Sequence, residues 1–282
     1  MKRFPETPAL GNGGEFTGHL WIQELPTGGR FRFQVAASGL VTFGTAARTF
    51  ESVEAVPLPY RRAAEAVSAC LDREALQSAT DDPGQVTFFG LATRNEGVDY
   101  DWAALPAFVG VDIWSGVKDR VVPPDTATHV FDQLGLAILP AVEKEVPAAH
   151  TTLDRYGDDA GFPPSAWRDG AAAGVLVRDK TGGRARGWRS GVTERDSCPE
   201  RGTPTDLAAR YATDERIGRT VTELRESGQS PTIDAIRDRL VANLVREAYA
   251  TLYPGGEFVT SVTTFESAVA ERVQRYRHET TQ

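Results

Sequence analysis

Lysine is scarce in this 282-residue chain. It occurs only at Lys2, Lys118, Lys144 and Lys180, and every other one of the 31 basic side chains is arginine. Arginine stays protonated in proteins, so it grips anions as a planar fork but cannot serve as an amine nucleophile. Between Lys2 and Lys118 no residue could take that role. Cysteine is nearly missing as well: Cys70 and Cys198 are far apart and have no C-x-x-C context. A zinc site or disulfide framework is therefore not expected, and two core or surface thiols remain. The four histidines, His19, His129, His150 and His278, show no metal-ligand spacing. No apolar run reaches membrane-spanning length, and residues 1–16 do not follow the basic-then-apolar order of a secretion signal. The expectation is a cytoplasmic protein with no membrane contact. Positive charge is also short, with a net charge of −8 and a pI of about 5.2. Bulk electrostatics thus disfavours non-specific nucleic-acid binding, and an RNA contact would need a local basic patch.

What is present is ordinary for a globular protein, with 40% hydrophobic and 25% charged residues. The length suits one large domain and one small one. Residues 1–15, with Gly11, Gly13 and Gly14, read as a loose lead-in. Strand patterning covers 19–24 and 30–35, with Phe31, Phe33 and Val35 on one face and Arg30, Arg32 and Gln34 on the other. The period becomes helical over 59–79, returns to strand at 86–89 and 108–114, and suggests a short helix at 124–134 and strand-like residues at 137–139. Glu143, Lys144 and Glu145 read as an exposed charge run. A strand at 175–177 precedes a hairpin turn at Gly182-Gly183. Residues 197–204 read as a linker. Beyond them, helical stripes follow at Ile217/Val221/Leu224, Ile233/Ile236/Leu240/Leu244 and Phe265/Val269/Val273, the last opened by a capping box at Thr263 and Glu266. Two domains are expected, 1–195 and a helical C-terminal module at 200–282.

The stretch Ile22-Gln-Glu-Leu-Pro-Thr-Gly-Gly-Arg-Phe-Arg-Phe33 resembles the nucleotide-loading strand of ATP-dependent RNA ligases, roughly E-K-x-D-G-x-[NR]-F-R-F. Five further fragments follow in that family's order. Phe43-Gly-Thr-Ala-Ala-Arg48 resembles F-G-x-R-x-R, and Phe88-Phe89-Gly90-Leu91 resembles F-x-G-E. Phe108-Val-Gly-Val-Asp112-Ile-Trp114 resembles the motif whose aromatic stacks on adenine. Ala173-Gly174-Val-Leu-Val-Arg178 resembles E-G-V-V-x-R, and Arg184-Ala-Arg186 resembles the motif whose lysine meets the phosphates. Asp99-Tyr-Asp-Trp102 and Tyr211–Ile217 are similar to haloarchaeal RNA ligase-family proteins, and lysine scarcity with an acidic surplus fits a GC-rich, halophilic source. The resemblance implies an α+β nucleotidyltransferase domain, with ATP-grasp-like antiparallel sheets around a cleft, followed by the small helical module.

The same resemblance implies that the chemistry is gone. The family's reaction needs a lysine to attack the α-phosphate, carboxylates to hold Mg²⁺, and cations to absorb developing charge. Here the nucleophile position is Leu25 and the adjacent aspartate is Thr27. The two motif glutamates are Leu91 and Ala173, and the adenine-stacking aromatic is Val111. One phosphate arginine is Ala46, and the last motif's lysine is Arg186. No catalytic or metal-binding residue is assigned. Nucleotide or RNA binding is assigned to Gly28, Arg30, Arg48, Gly90, Asp112, Gly174, Arg178, Arg184 and Arg186. Lys180 has two readings, a surrogate nucleophile or a solvated hairpin charge. Arg178, Lys180, Arg184, Arg186 and Arg189 around Trp188 are either a phosphate-binding patch or a hairpin balanced by Asp179 and Glu194. The expected function is that of a degenerate RNA ligase paralogue binding RNA or nucleotide. The alternatives are an active ligase with relocated groups, for which ATP and Mg²⁺ would be cofactors, and a module binding a protein partner through its helices. Aliphatic side chains at Leu25, Leu91 and Val111 could also pack the cleft shut.

Overall fold

Period-two patterning near the start of the chain becomes paired strands in the computed structural model, which describes residues 1–12, 16–80, 82–192 and 202–280. Gly13, Gly14, Asp81, Glu194 and the expected linker over 197–201 lie outside the described residues. Strand β1 (His19–Leu25) stops at Pro26, which has no N–H to continue a ladder. Strand β2 (Gly28–Val35) begins two residues later in a different sheet, followed by β3 (Val41–Thr45) and β4 (Thr49–Phe50). The remaining strands are β5 (Val86–Thr93), β6 (Phe108–Ser115), β7 (Arg120–Val121), β8 (Ala141–Pro147), β9 (Gly174–Asp179) and β10 (Arg184–Trp188). They form a six-stranded sheet ordered β4-β3-β2-β5-β6-β7 and a four-stranded sheet ordered β10-β9-β1-β8, with every strand pairing antiparallel.

The face of β2 expected to be apolar is buried in full. Phe31, Phe33 and Val35 pack with Phe88, Phe108 and Phe131 beneath helices α1 (Leu58–Cys70) and α3 (Pro124–Gln133). Phe33 stacks on Phe88 with ring centroids 4.6 Å apart. The single helix expected over 59–79 is broken at Leu71-Asp72, because the Asp72 carboxylate accepts the Ala75 N–H and so caps α2 (Arg73–Ala79). Residues 137–139 contribute only a bridge between Ile138 and Gly110. The expected charge run at 143–145 is instead part of β8, an outer strand whose exposed charges discourage further pairing. Glu145 has φ 55° where the β1–β8 register is irregular, and accepts the Trp21 Nε1–H at 2.6 Å.

The chain folds as two compact units, Met1–Arg195 and Asp196–Gln282. The second unit holds α4 (Pro204–Tyr211), α5 (Asp214–Glu226), α6 (Ile233–Glu247), α7 (Tyr249–Leu252) and α8 (Val262–Thr280). Its stripes turn inward: Ile217, Leu224, Ile236, Leu240, Leu244, Phe265, Val269 and Val273 are buried. A capping box does occur, but at Thr203 and Asp206 of α4. Thr263 lies inside α8, where the Ser261 hydroxyl takes the Thr264 N–H.

Close packing between β5 and β6 explains one glycine. A Cβ on Gly90 would stand 2.3 Å from the Phe108 ring and 2.6 Å from the Val109 carbonyl oxygen, and the backbone contact cannot yield. Gly90→Ala is expected to destabilise the first unit by about 1–3 kcal/mol. A lower urea midpoint of that unit's unfolding, with an unchanged slope, is the measurement that checks it.

Candidate functional site

The corner between the sheets is built by Pro26 and Thr27. The Thr27 N–H donates to Tyr100 Oη (3.0 Å) and its hydroxyl to the Arg94 carbonyl (2.8 Å), while the Arg94 N–H returns to the Thr27 carbonyl (3.3 Å). Just before the corner, buried Glu24 accepts the Ser165 hydroxyl and the Ala166 N–H. Burial pushes the Glu24 carboxyl above its ordinary value, and the Ala166 and Ser165 bonds and the Arg168 charge only partly oppose it.

A cleft opens beyond this corner. One wall carries Leu25 of β1, Leu176 of β9, and Arg184, Arg186 and Trp188, which alternate along β10 and so share a face. The other carries Gly28 and Arg30 of β2, Phe89 to Leu91 of β5, and Val111 and Asp112 of β6. Leu25, Leu91 and Val111 join Leu176 and Val109 in one apolar cluster, so the floor is hydrocarbon.

The residues assigned to binding fall into four groups. Arg30, Arg184 and Arg186 line the cleft. Gly28, Gly90 and Gly174 are fixed by packing within the protein, since a Cβ would meet the Ala92 carbonyl, the Phe108 ring and the Trp188 ring within 2.5 Å. Arg48 lies in the exposed β3–β4 turn and Ala173 is buried behind the wall; neither lines the cleft.

Arg178 and Asp112 are placed otherwise than as ligand contacts. Arg178 is 1% exposed; its guanidinium donates to Asp112 Oδ1, to Gln23 Oε1 and, at 2.6 Å, to the Val111 carbonyl. The other Asp112 oxygen accepts Arg184 Nη1 at 2.6 Å. Burial would raise the Asp112 carboxyl, but Arg178 and Arg184 outweigh it and hold it below its ordinary value. The charges of Arg178 and Asp112 are consumed inside the protein, and Arg184 is half committed to them.

Arg30 and Arg186 are different. Neither has a carboxylate partner among the described residues, and burial followed by the like charge of Arg30 lowers the Arg186 guanidinium from its usual value. Two neighbouring unneutralised guanidiniums above an apolar floor form an anion site in electrostatic terms.

The lead-in expected to be loose is fixed across this opening. The Lys2 N–H donates to Thr87 Oγ1 (3.3 Å), and the Lys2 carbonyl accepts Arg32 Nη1. The Phe4 ring lies 5.0 Å from Phe89, with the Arg30 and Arg32 guanidiniums 5.9 and 5.6 Å from its centroid. On the far side, the Arg186 N–H donates to the Pro8 carbonyl (2.9 Å), and the Leu10 N–H donates to the Arg186 carbonyl (2.8 Å). Phe4, Pro5 and Thr7 line the cleft, and the cavity left free is about 100 Å³, against ~300–1,000 Å³ for typical small-molecule sites.

No protein-family model matches the chain, and no curated protein matches it. Solved structures do. An archaeal ATP-dependent RNA ligase, form 2, aligns over 89% of this chain at 16% identity and TM-score 0.50. Form 1 aligns over 98% at 14% identity and TM-score 0.50. A Naegleria gruberi RNA ligase with PPi aligns over 67% at 11% identity and TM-score 0.50. This chain has an RNA ligase-like nucleotidyltransferase fold. It spans 64% of the form 2 chain, 74% of form 1 and 56% of the Naegleria protein.

Within this RNA ligase-like fold no lysine lines the cleft among the described residues. Lys180 Nζ is held by Glu145 Oε1 (2.9 Å) and Asp125 Oδ2 (3.1 Å), and those bonds keep its ammonium above the ordinary value. Lys2 lies over the Trp114 ring at 3.6 Å, and Lys144 is 5.3 Å from the Trp21 ring. Among the described residues, no group of three His, Cys, Asp or Glu could hold a metal, and Asp112, the carboxylate that lines the cleft, is taken by two arginines. This donor set does not fit a divalent ion. Sequence reasoning missed Phe4 and its segment, whose only signal is an aromatic after two basic residues and before Pro5 and Pro8.

Asp112→Asn leaves Arg178 buried without its counter-charge and is expected to cost about 3–5 kcal/mol. Because the native carboxyl is depressed, its contribution is present above the ordinary value of 3.8 and lost as pH falls through the lower folded value. Urea unfolding at neutral pH should show the loss. A titration toward about pH 2 should show a flatter stability profile for the variant than for the parent.

Proposed function

We propose that this RNA ligase-like protein binds the phosphates of RNA or of a nucleotide at Arg30 and Arg186, and that it is a catalytically degenerate paralogue that does not load AMP onto itself. One observation carries the reading: a pair of adjacent guanidiniums without carboxylate partners among the described residues faces a cleft whose floor is Leu25, Leu91 and Val111. Arginine forks suit the in-plane oxygens of a phosphate. Trp188, on the same face of β10, offers a ring on which a base could stack. Leu25 can neither attack an α-phosphate nor be replaced by Lys180, whose ammonium is bound to two carboxylates elsewhere.

ATP and Mg²⁺ have no catalytic part in this reading, and the helical unit is assigned no partner. Among the described residues the large exposed hydrophobics are Leu40, Val117 and Val142, all in the first unit. Among those residues no helix is long and apolar enough to cross a membrane.

Binding of a short 5′-phosphorylated RNA, followed by anisotropy, tests the proposal. Arg30→Ala combined with Arg186→Ala should weaken it at least about tenfold, since a hydrogen bond to a charged group contributes about 1.5–3 kcal/mol. A 5′-hydroxyl RNA should respond less to the same change. Incubation with radiolabelled ATP and Mg²⁺ should leave the protein unlabelled; a covalent adduct would overturn the degenerate reading, and unchanged affinity in the double variant would overturn the site.

A further inference from the structure

We propose that residues 2–10 are an intramolecular strap that occupies the cleft, with Phe4 against Arg30 where a ligand's phosphate would be held, so that ligand and strap compete. The inference rests on the anion-site reading above and adds its regulation. The strap is anchored at two ends that belong to different sheets. One end uses Lys2 on Thr87 and Arg32, with Phe4 on Phe89, all on β2 and β5. The other uses Pro8 and Leu10 on both backbone groups of Arg186, as a one-residue parallel bridge on the outer edge of β10. Between the ends, Phe4, Pro5 and Thr7 fill the space from which Arg30 and Arg186 would reach a phosphate.

The attachment is of a kind that can release. It consists of a few hydrogen bonds, one ring pair, cation–ring contacts of Arg30, Arg32 and Lys2, a Lys2–Asp119 ion pair at 3.9 Å and the packing of Leu10, and its residues are exposed or only half-buried. Such segments open locally without unfolding the domain. Phe4 also draws on the Arg30 guanidinium that an anion would need, so the two occupants share a cation as well as a volume. Apparent affinity is then reduced by the fraction of molecules whose strap is closed.

Two measurements on the full chain test this, with 5′-AMP as probe. Calorimetry on Phe4→Ala should give about two- to tenfold tighter binding than the parent, the range expected from losing one aromatic pair. Hydrogen exchange on the parent should show the Leu10 and Arg186 amides, which bond only to each other's segments, exchanging together and before the β9–β10 ladder. Saturating 5′-AMP should speed them further. Equal affinity in both proteins, with those two amides as protected as the ladder and indifferent to 5′-AMP, overturns the strap while leaving the anion site standing. Absence of binding to either protein, with the two amides exchanging early, overturns the anion site and with it any competition.

Discussion

The buried carboxylate of Asp112 ties the two sheets together. It projects from β6 of the larger sheet and holds Arg178 of β9 and Arg184 of β10 in the smaller one, while Arg178 also reaches Gln23 of β1 and the Val111 carbonyl. The cleft exists because the sheets are clamped at this depth and part above it. Burying an ion pair is not in itself stabilising, since desolvation consumes most of the Coulomb energy. Its value here is geometric: planar guanidiniums meeting one carboxylate admit few alternative sheet positions. That constraint gives Asp112, Arg178 and Arg184 a structural part that needs no ligand.

Above the clamp the electrostatics changes. Leu25 and Leu91 line the cleft as hydrocarbon, and Arg30 and Arg186 face it without a carboxylate partner among the described residues. On the proposed reading, such a site has the means to hold a phosphate without the means to activate one. Arg186 suits the same reading, because a guanidinium binds oxygen pairs well and yields its proton poorly. The apolar floor adds a second consequence. Leucine and valine cannot hydrate a polar group, so whatever enters must present a ring or hydrocarbon to them and its charge to the rim.

Much of the fold was readable from short fragments because strand periodicity and turn glycines act locally. Phe31, Phe33 and Val35 announced a buried face by alternation alone, and Gly182-Gly183 announced the β9–β10 turn. Two departures came from side-chain and pairing effects that no short window contains. β8 reads as a charge run because an outer strand keeps solvent on its flanks, and only its pairing with β1 makes it a strand. Asp72 reads as one more helical residue until its side chain is seen taking the Ala75 N–H. The site was legible only as a set of positions. Whether an arginine there is free or neutralised depends on which strand faces it. No local pattern tells Arg178, locked on Asp112, from Arg186, which stands on the neighbouring strand near the like charge of Arg30 and without a carboxylate partner among the described residues.

The outermost strand of the smaller sheet brings the clamp, the cations and the lead-in together. β10 has β9 on one side only, and an open edge with both backbone groups of Arg186 exposed would invite pairing with another chain. Residues 8–10 cover that edge, and the same segment carries Phe4 into the cleft. Edge protection and cleft occupancy are therefore one structural event. On the strap proposal, a ligand that displaces Phe4 also loosens the cover on β10, because plug and cover are one continuous segment.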